Sequence, residues 1–347
     1  MSIERIAKIA GVSKATVSRA INTPSIVKPE TVERVNQAIE EIAYKPRIKK
    51  TLSINIYFNK LTIIIHSSVL QPHSFYFTIY EFLKKEADKL GLSVDTIIVN
   101  SDSEITSIAS KIKHSEAIII AGINSNELND VLHSLKTPSV LINCFDDLMR
   151  LSSISPDYEL GGFLIGQNLI QNGYKKTKIL TTIPRLTIQQ RVDGFSRAMK
   201  IHEQDFDQAK DIIDIRDYAD PQILTLMNND TAGQDLGSSF VMDKIVDSGI
   251  LHDCDAVFCI CDLMAIALIQ SLKSKNIAVP KDIAIVGFDD LDISSLITPA
   301  LSTVRPEYSN LAKSAIYKLA RLSNDPQEPM VRSYTAVNFI ERLSTYQ

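Results

Sequence analysis

Along the first forty residues, apolar positions recur at helical spacing in three short runs separated by polar breaks. Ile3, Ile6, Ala7 and Ala10 mark the first run, which Gly11-Val12-Ser13 ends. Gly11 suits a turn that needs positive φ, and Ser13 is a good N-cap for a second helix. The second run, over 14–21, gathers Val17, Ala20 and Ile21 on one face and turns Lys14, Ala15, Ser18 and Arg19 toward the other. The third opens with Pro29 at its first position and Glu30 in its first turn. Its stripe of Val32, Val35, Ile39 and Ile42 predicts a helix to about residue 43. From about Leu61 the period changes. Short, wholly apolar runs predict strands over 61–65, 94–99, 117–121, 140–143, 178–183, 256–260 and 283–288, with a last one over 335–340. Amphipathic stretches between them predict helices over 79–90, 160–172, 191–202 and 264–275. Strands buried on both faces and joined by helices form parallel sheets. So many units fit two doubly wound halves that clamp a ligand outside the carboxyl ends of their strands.

The fold class expected is therefore a small all-α head on an α/β body with two doubly wound parallel-sheet subdomains. Two short helices joined by a glycine turn and braced by a third make a helix-turn-helix unit. Small Ala7 lets the first two helices cross closely, and Ile6, Ala10, Val12, Val17 and Ala20 fill their shared core. Such a unit presents the polar N-terminal half of its second helix to the major groove, where Arg pairs bidentately with guanine. The alternative is a helical bundle whose polar face is merely solvated. Charge bears on the choice. The net charge of −4 does not suggest nucleic acid, but residues 1–60 hold 11 Lys/Arg against five Glu, a net of +6, which leaves −10 on the remainder. A basic head can meet phosphate while an acidic body stays off it.

The run Ile6-Ala7-Lys8-Ile9-Ala10-Gly11-Val12-Ser13-Lys14-Ala15-Thr16-Val17-Ser18-Arg19-Ala20-Ile21-Asn22, together with Val32-Glu33-Arg34-Val35 and Tyr44-Lys45-Pro46, resembles the head of the LacI/GalR family of bacterial repressors. The resemblance implies that Lys14, Ala15 and Arg19 read bases while Thr16, Ser18 and Asn22 hold phosphates and fix register. It weakens in the hinge. There the family usually carries an Asn and an Ala-rich helical turn with a Leu that wedges into the minor groove, whereas this chain reads Arg47-Ile48-Lys49-Lys50-Thr51-Leu52-Ser53. Arg47, Lys49 and Lys50 still suit phosphate, and Leu52 sits one position early for the wedge. Thr51 with alternating Ile54, Ile56 and Phe58 favours a strand, so a basic linker without a wedge stays open.

The resemblance extends into the body through Arg191-Val192-Asp193-Gly194-Phe195, Asp262-Leu263-Met264-Ala265, Val286-Gly287-Phe288-Asp289-Asp290 and the stretch from Thr298 to Arg305. It implies a clamp like that of periplasmic binding proteins. The division expected is 1–46 for the DNA-binding head, 47–60 for the hinge and 61–347 for effector binding and dimerisation. Within the body, one subdomain takes about 61–158 plus 291–320, and the other about 159–290 plus 321–347. For the effector, Arg191 and Asp262 are expected as donor and acceptor from opposite cleft walls, gripping vicinal hydroxyls or a heterocycle edge. The alternative is a structural ion pair or a helix cap. Phe75 and Tyr76 align with an aromatic pair that stacks on ligand, or they belong to the core. Asp157, Arg185 and Thr187, in loops after strands, are weaker candidates. Cys261 and His73-Ser74 stand where the family usually has Asn and Asn-Pro. These departures imply an altered pocket, so a common sugar is not assumed; the effector expected is a small molecule such as a sugar or nucleoside.

Other chemistry is disfavoured. The chain has no Gly-x-Gly-x-x-Gly, Walker loop, His-Glu-x-x-His or Gly-x-Ser-x-Gly. Its six His are scattered, and Cys144, Cys254, Cys259 and Cys261 lie in or beside apolar runs without metal-type pairing, so neither metal nor cofactor is expected. There is no signal-like start and no apolar run of about 18 residues, which fits a cytoplasmic protein with no membrane partner. The reading is a repressor, not an enzyme, acting as a homodimer on a pseudo-palindromic double-stranded operator. No heptad tail lies beyond the last strand, so a dimer is expected rather than a tetramer. Its rivals are a solute-binding protein of the same clamp fold without DNA function, and an enzyme on a doubly wound fold.

Overall fold

The computed structural model describes residues 3–22, 27–41, 55–67, 74–99, 105–182, 185–228 and 235–345. It divides into two compact units, Met1–Asn55 and Ile56–Gln347.

The first unit holds α1 (Ile3–Ala10), α2 (Lys14–Asn22) and α3 (Pro29–Glu41). Gly11 takes φ +64° in the turn, and Ser13 caps α2 by accepting from the Thr16 amide at 3.0 Å. Ile6, Ala7, Ala10, Val17, Ala20, Val35 and Ala38 form its core. Four of these seven are alanines, so the helix backbones approach closely and a small unit still excludes water. Residue 43, the expected end of the third helix, lies outside the described residues, as does Ile42.

The second unit begins at Ile56, earlier than the expected 61. It runs β1 (Lys60–His66), α4 (Phe75–Lys89), β2 (Ser93–Val99), α5 (Ile105–Ile112), β3 (Ala117–Ala121), α6 (Asn126–Leu135), β4 (Ser139–Ile142) and β5 (Ser152–Pro156). Next come α7 (Tyr158–Gln171), β6 (Thr177–Thr181), α8 (Leu186–Ile201), α9 (Gln208–Asp211), β7 (Ile212–Asp214), α10 (Pro221–Asn228), α11 (Ser238–Asp247), β8 (Ala256–Cys259), α12 (Asp262–Ser274) and β9 (Ala284–Val286). It ends with β10 (Thr303–Pro306), α13 (Tyr308–Asn324), β11 (Arg332–Thr335) and β12 (Val337–Ile340). One lobe is built on a parallel sheet of order β11-β5-β4-β3-β1-β2, the other on a parallel sheet of order β7-β6-β8-β9. An antiparallel ribbon pairs β10 with β12. Central β3 is buried on both faces, whereas edge strand β2 alternates, as position in a parallel sheet requires.

Several expectations need correction. The strand expected over 335–340 is two strands in different sheets, broken at Ala336. Residues 321–335 therefore stay with the first lobe, where they finish α13 and place β11 beside β5. Residues 291–301 belong to the second lobe instead, because Leu301, Ile293 and Ile297 pack into its core. Among the described residues the chain crosses between lobes three times, at Pro156–Tyr158, Pro306–Tyr308 and Thr335–Val337. Helices α4 and α8 begin at Phe75 and Leu186, four and five residues before the expected 79 and 191. Strand β5 has no apolar signature, because it reads Ser-Ser-Ile-Ser-Pro, although every residue in it is buried.

Candidate DNA-reading helix and effector cleft

On α2 the buried positions Val17 and Ala20 fix which side faces inward. Lys14, Ala15 and Arg19 are exposed at its polar side, with half-buried Thr16 and Ser18 beside them. Thr16 Oγ1 lies 2.9 Å from Ser13 Oγ, so the same pair of hydroxyls that starts the helix also holds Thr16 in place. The first turn has no acidic residue to repel phosphate. Asn22 ends the helix. Its side chain lies outside what the structure describes, as do Arg47, Lys49, Lys50 and Leu52.

The second site gathers at the carboxyl ends of the strands, beside the crossings. From the first lobe comes the start of α4, where Ser74 caps the helix by accepting from the Phe77 amide at 3.0 Å. Phe75 and Tyr76 come next, half-buried, with their rings edge-to-face at 5.1 Å. Gly122, at φ +73°, makes room for Tyr76, since a Cβ there would stand 2.4 Å from its ring. Asn143, just past β4, donates from Nδ2 to Tyr76 Oη at 2.7 Å. Its Oδ1 accepts from the Tyr158 hydroxyl of the other lobe at 2.7 Å.

From the second lobe comes Arg191 on α8, buried because α7 and α8 meet at their backbones. A Cβ on Gly162 would come 1.9 Å from the Arg191 carbonyl oxygen, and one on Gly194 would come 1.8 Å from that of Glu159. The guanidinium lies over the rings of Phe288 and Tyr158, at 4.1 and 4.6 Å. It donates to the Ile260 carbonyl and, at 3.2 Å, to Asp289 Oδ1, while Nε has no protein partner. Burial pushes the Asp289 carboxyl up to about 6 even though Arg191 pulls it down.

The expectation that Arg191 and Asp262 face each other from opposite walls is corrected. Both sit in the second lobe, and the carboxylate that meets Arg191 is Asp289. Asp262 is fully buried and accepts from the Leu291 amide at 2.8 Å and from the hydroxyls of Ser294 and Thr303 at 2.5 Å each. It stitches α12 to the 291–294 turn and to β10, and burial, then the charge of Asp289, pushes it up to about 8. Asp157 caps α7 through the Leu160 amide at 2.9 Å. Arg185 is the N-cap residue of α8, and Thr187 lies within its first turn rather than in a loop. Sequence reasoning misses Asp289 as a site residue. Its signal is present in Val286–Asp290, a segment that serves there only to carry the family resemblance. Asn143 and Tyr158 give no signal.

Residues 2–47 match the family described as bacterial regulatory proteins, lacI family, and residues 166–345, just over half of the chain, match the periplasmic binding protein-like domain. The chain belongs to the LacI family. As a LacI-family member it is a DNA-binding transcriptional regulator. Among its relatives, the repressor PurR of Aliivibrio fischeri is 26% identical over 91% of this chain and 89% of its own length. The probable repressor ExuR of Bacillus subtilis is 25% identical over 99% and 97%. Among solved structures, the regulator CelR in complex with cellobiose aligns with TM-score 0.68 at 21% identity, covering 99% of both chains. The lac repressor dimer bound to operator and the anti-inducer ONPF aligns with TM-score 0.65 at 21% identity, covering 100% and 99%. These two likenesses establish the fold of the LacI-family chain. Among its described residues, no cluster of His, Cys, Asp or Glu could hold a metal ion, all four cysteines are buried and free, and no helix is long and apolar enough to cross a membrane.

Proposed function

We propose that this LacI-family regulator is a homodimeric repressor of a near-palindromic operator, with a small polyhydroxylated or heterocyclic effector, a sugar or nucleoside, bound between its lobes. Lys14, Ala15 and Arg19 read bases, and Thr16, Ser18 and Asn22 hold phosphates. In the cleft, Arg191 offers an open Nε donor, Asp289 an acceptor, and Phe75 and Tyr76 aromatic faces. The observation that carries this reading is the convergence of Arg191 and Tyr76, from opposite lobes, on one hydrogen-bonded cluster beside the crossings. An effector there changes the angle between lobes and so the fit of the two heads to half-sites. A coupling of about 1–3 kcal/mol changes operator affinity roughly 5- to 150-fold.

The test is retardation and footprinting of DNA flanking the protein's own gene, with and without a panel of sugars and nucleosides. Arg19→Ala is expected to weaken the specific footprint without changing any effector binding. A folded full-length chain that retards no DNA at low salt would refute the reading.

A further inference from the structure

The two crossings that lead into helices share a pattern, proline, an acidic residue and tyrosine. Pro156-Asp157-Tyr158 enters α7, and Pro306-Glu307-Tyr308 enters α13. In each, proline closes a strand, the acidic residue takes the N-cap position and tyrosine is the first residue of the helix. Both tyrosines are buried. Each reaches back to the lobe that the chain has just left. Tyr158, now in the second lobe, donates to Asn143 Oδ1 in the first at 2.7 Å. Tyr308, now in the first lobe, donates to the Asp289 carbonyl in the second at 2.6 Å.

The rings stay with their own lobes. Tyr158 lies beneath Arg191 and 5.7 Å from Phe288. Tyr308 lies 5.8 Å from Phe75 and from Phe82. Each tyrosine thus touches a candidate ligand residue of its own lobe and bonds into the other lobe at a residue tied to the cleft. Tyr158 connects Arg191 to Asn143 and so to Tyr76, and Tyr308 connects Phe75 to Asp289 and so to Arg191.

We infer that Tyr158 and Tyr308 are positioning residues, two crossed straps that translate occupancy of the cleft into the angle between the lobes. This rests on the cleft being the effector site. Three backbone crossings fix where the lobes join but leave their angle soft. Two buried hydroxyls that must each find an acceptor in the other lobe restrict it, because an unpartnered buried hydroxyl is costly. Burial holds both phenols well above the usual tyrosine range, so both remain donors throughout the neutral range. A ligand that draws on Tyr76 or on the Arg191–Asp289 pair changes what both hydroxyls meet, and the angle shifts with them.

The test uses full-length Tyr158→Phe and Tyr308→Phe, with Tyr174→Phe as control. Tyr174 donates to the Thr345 carbonyl at 3.1 Å within the second lobe, so its variant also loses a buried tyrosine hydrogen bond, one made inside a single lobe. All three are expected to lower Tm modestly. Only the two strap variants should change affinity for the footprinted operator, each by at least about fivefold and in the same direction, and change the radius of gyration in small-angle scattering. Strap variants that bind operator within about twofold of wild type, as the control does, overturn the inference. If the wild-type chain retards no DNA, the proposed function falls, and scattering decides the straps alone: profiles identical to wild type overturn them, and a shift confined to the strap variants upholds them.

Discussion

Asp262 and Asp289 show how one residue type acquires different work from its surroundings. Both carboxyls are buried, but Asp289 meets Arg191 while Asp262 meets only an amide and two hydroxyls, and so Asp262 is pushed higher, to about 8 against about 6. An unfolded carboxyl gives up its proton near pH ~4. The folded chain therefore holds more protons than the unfolded chain between about pH 4 and 8, and stability falls as pH rises through that window. Urea midpoints measured between about pH 6 and 8.5 should decline for the wild type, and Asp262→Asn should flatten the decline. An equally steep decline in the variant would show that Asp262 is ionised throughout. On the head, Arg19→Ala should lower operator affinity by about 1–3 kcal/mol, read by titration against wild type and a base-substituted half-site. At this scale the sequence exposes Arg191 through its Arg-x-x-Gly-Phe segment, yet it hides the partner. Asp157, Asp262, Asp289 and Asp290 all lie just beyond or at the end of strand-like runs, and only the fold decides which one caps, which one stitches and which one pairs.

Helices α7 and α8 are held by what they lack. Gly162 and Gly194 bring one backbone against the other, and Gly166 extends the contact, where a Cβ would stand 2.7 Å from that of Ala198. Gly194→Ala must push the helices apart because the obstacle is a carbonyl oxygen rather than a flexible side chain. A loss of about 3 kcal/mol or more is expected in denaturant unfolding, together with displacement of Arg191. In the head, Ser13→Ala removes the cap on α2 and should cost about 1 kcal/mol, measured as a lower Tm of the full chain's first transition. Element legibility tracks the apolar signal. The isoleucine-rich β1 and β3 are plain in the sequence, as are the stop of α1 at Gly11 and the start of α2 at Ser13. Strand β5 is hidden because a run of serines has the composition of a loop, and the β11–β12 break is hidden because nothing in Thr335-Ala336-Val337 marks a change of sheet.

For the whole molecule, charge is divided sharply, with +6 on residues 1–60 and −10 on the rest. Operator affinity should fall linearly with the logarithm of salt concentration, by at least a few powers of ten per decade, measured by retardation between about 50 and 200 mM salt. A flat response would mean that phosphate is not being contacted. The architecture of two parallel sheets is legible because wholly apolar strands joined by helices have few other solutions, but the crossings are not, since the chain changes lobe at places of ordinary composition.

The interleaving of the lobes also orders their birth. Strand β11 completes one sheet, and the Ser344 carbonyl accepts from the Ile285 amide of β9 in the other only after β12 has been laid down. A ribosome therefore finishes the head first and holds both lobes incomplete until the stretch from Arg332 to Thr345 has emerged. A nascent chain interrupted before that point would carry a finished head on two unfinished lobes.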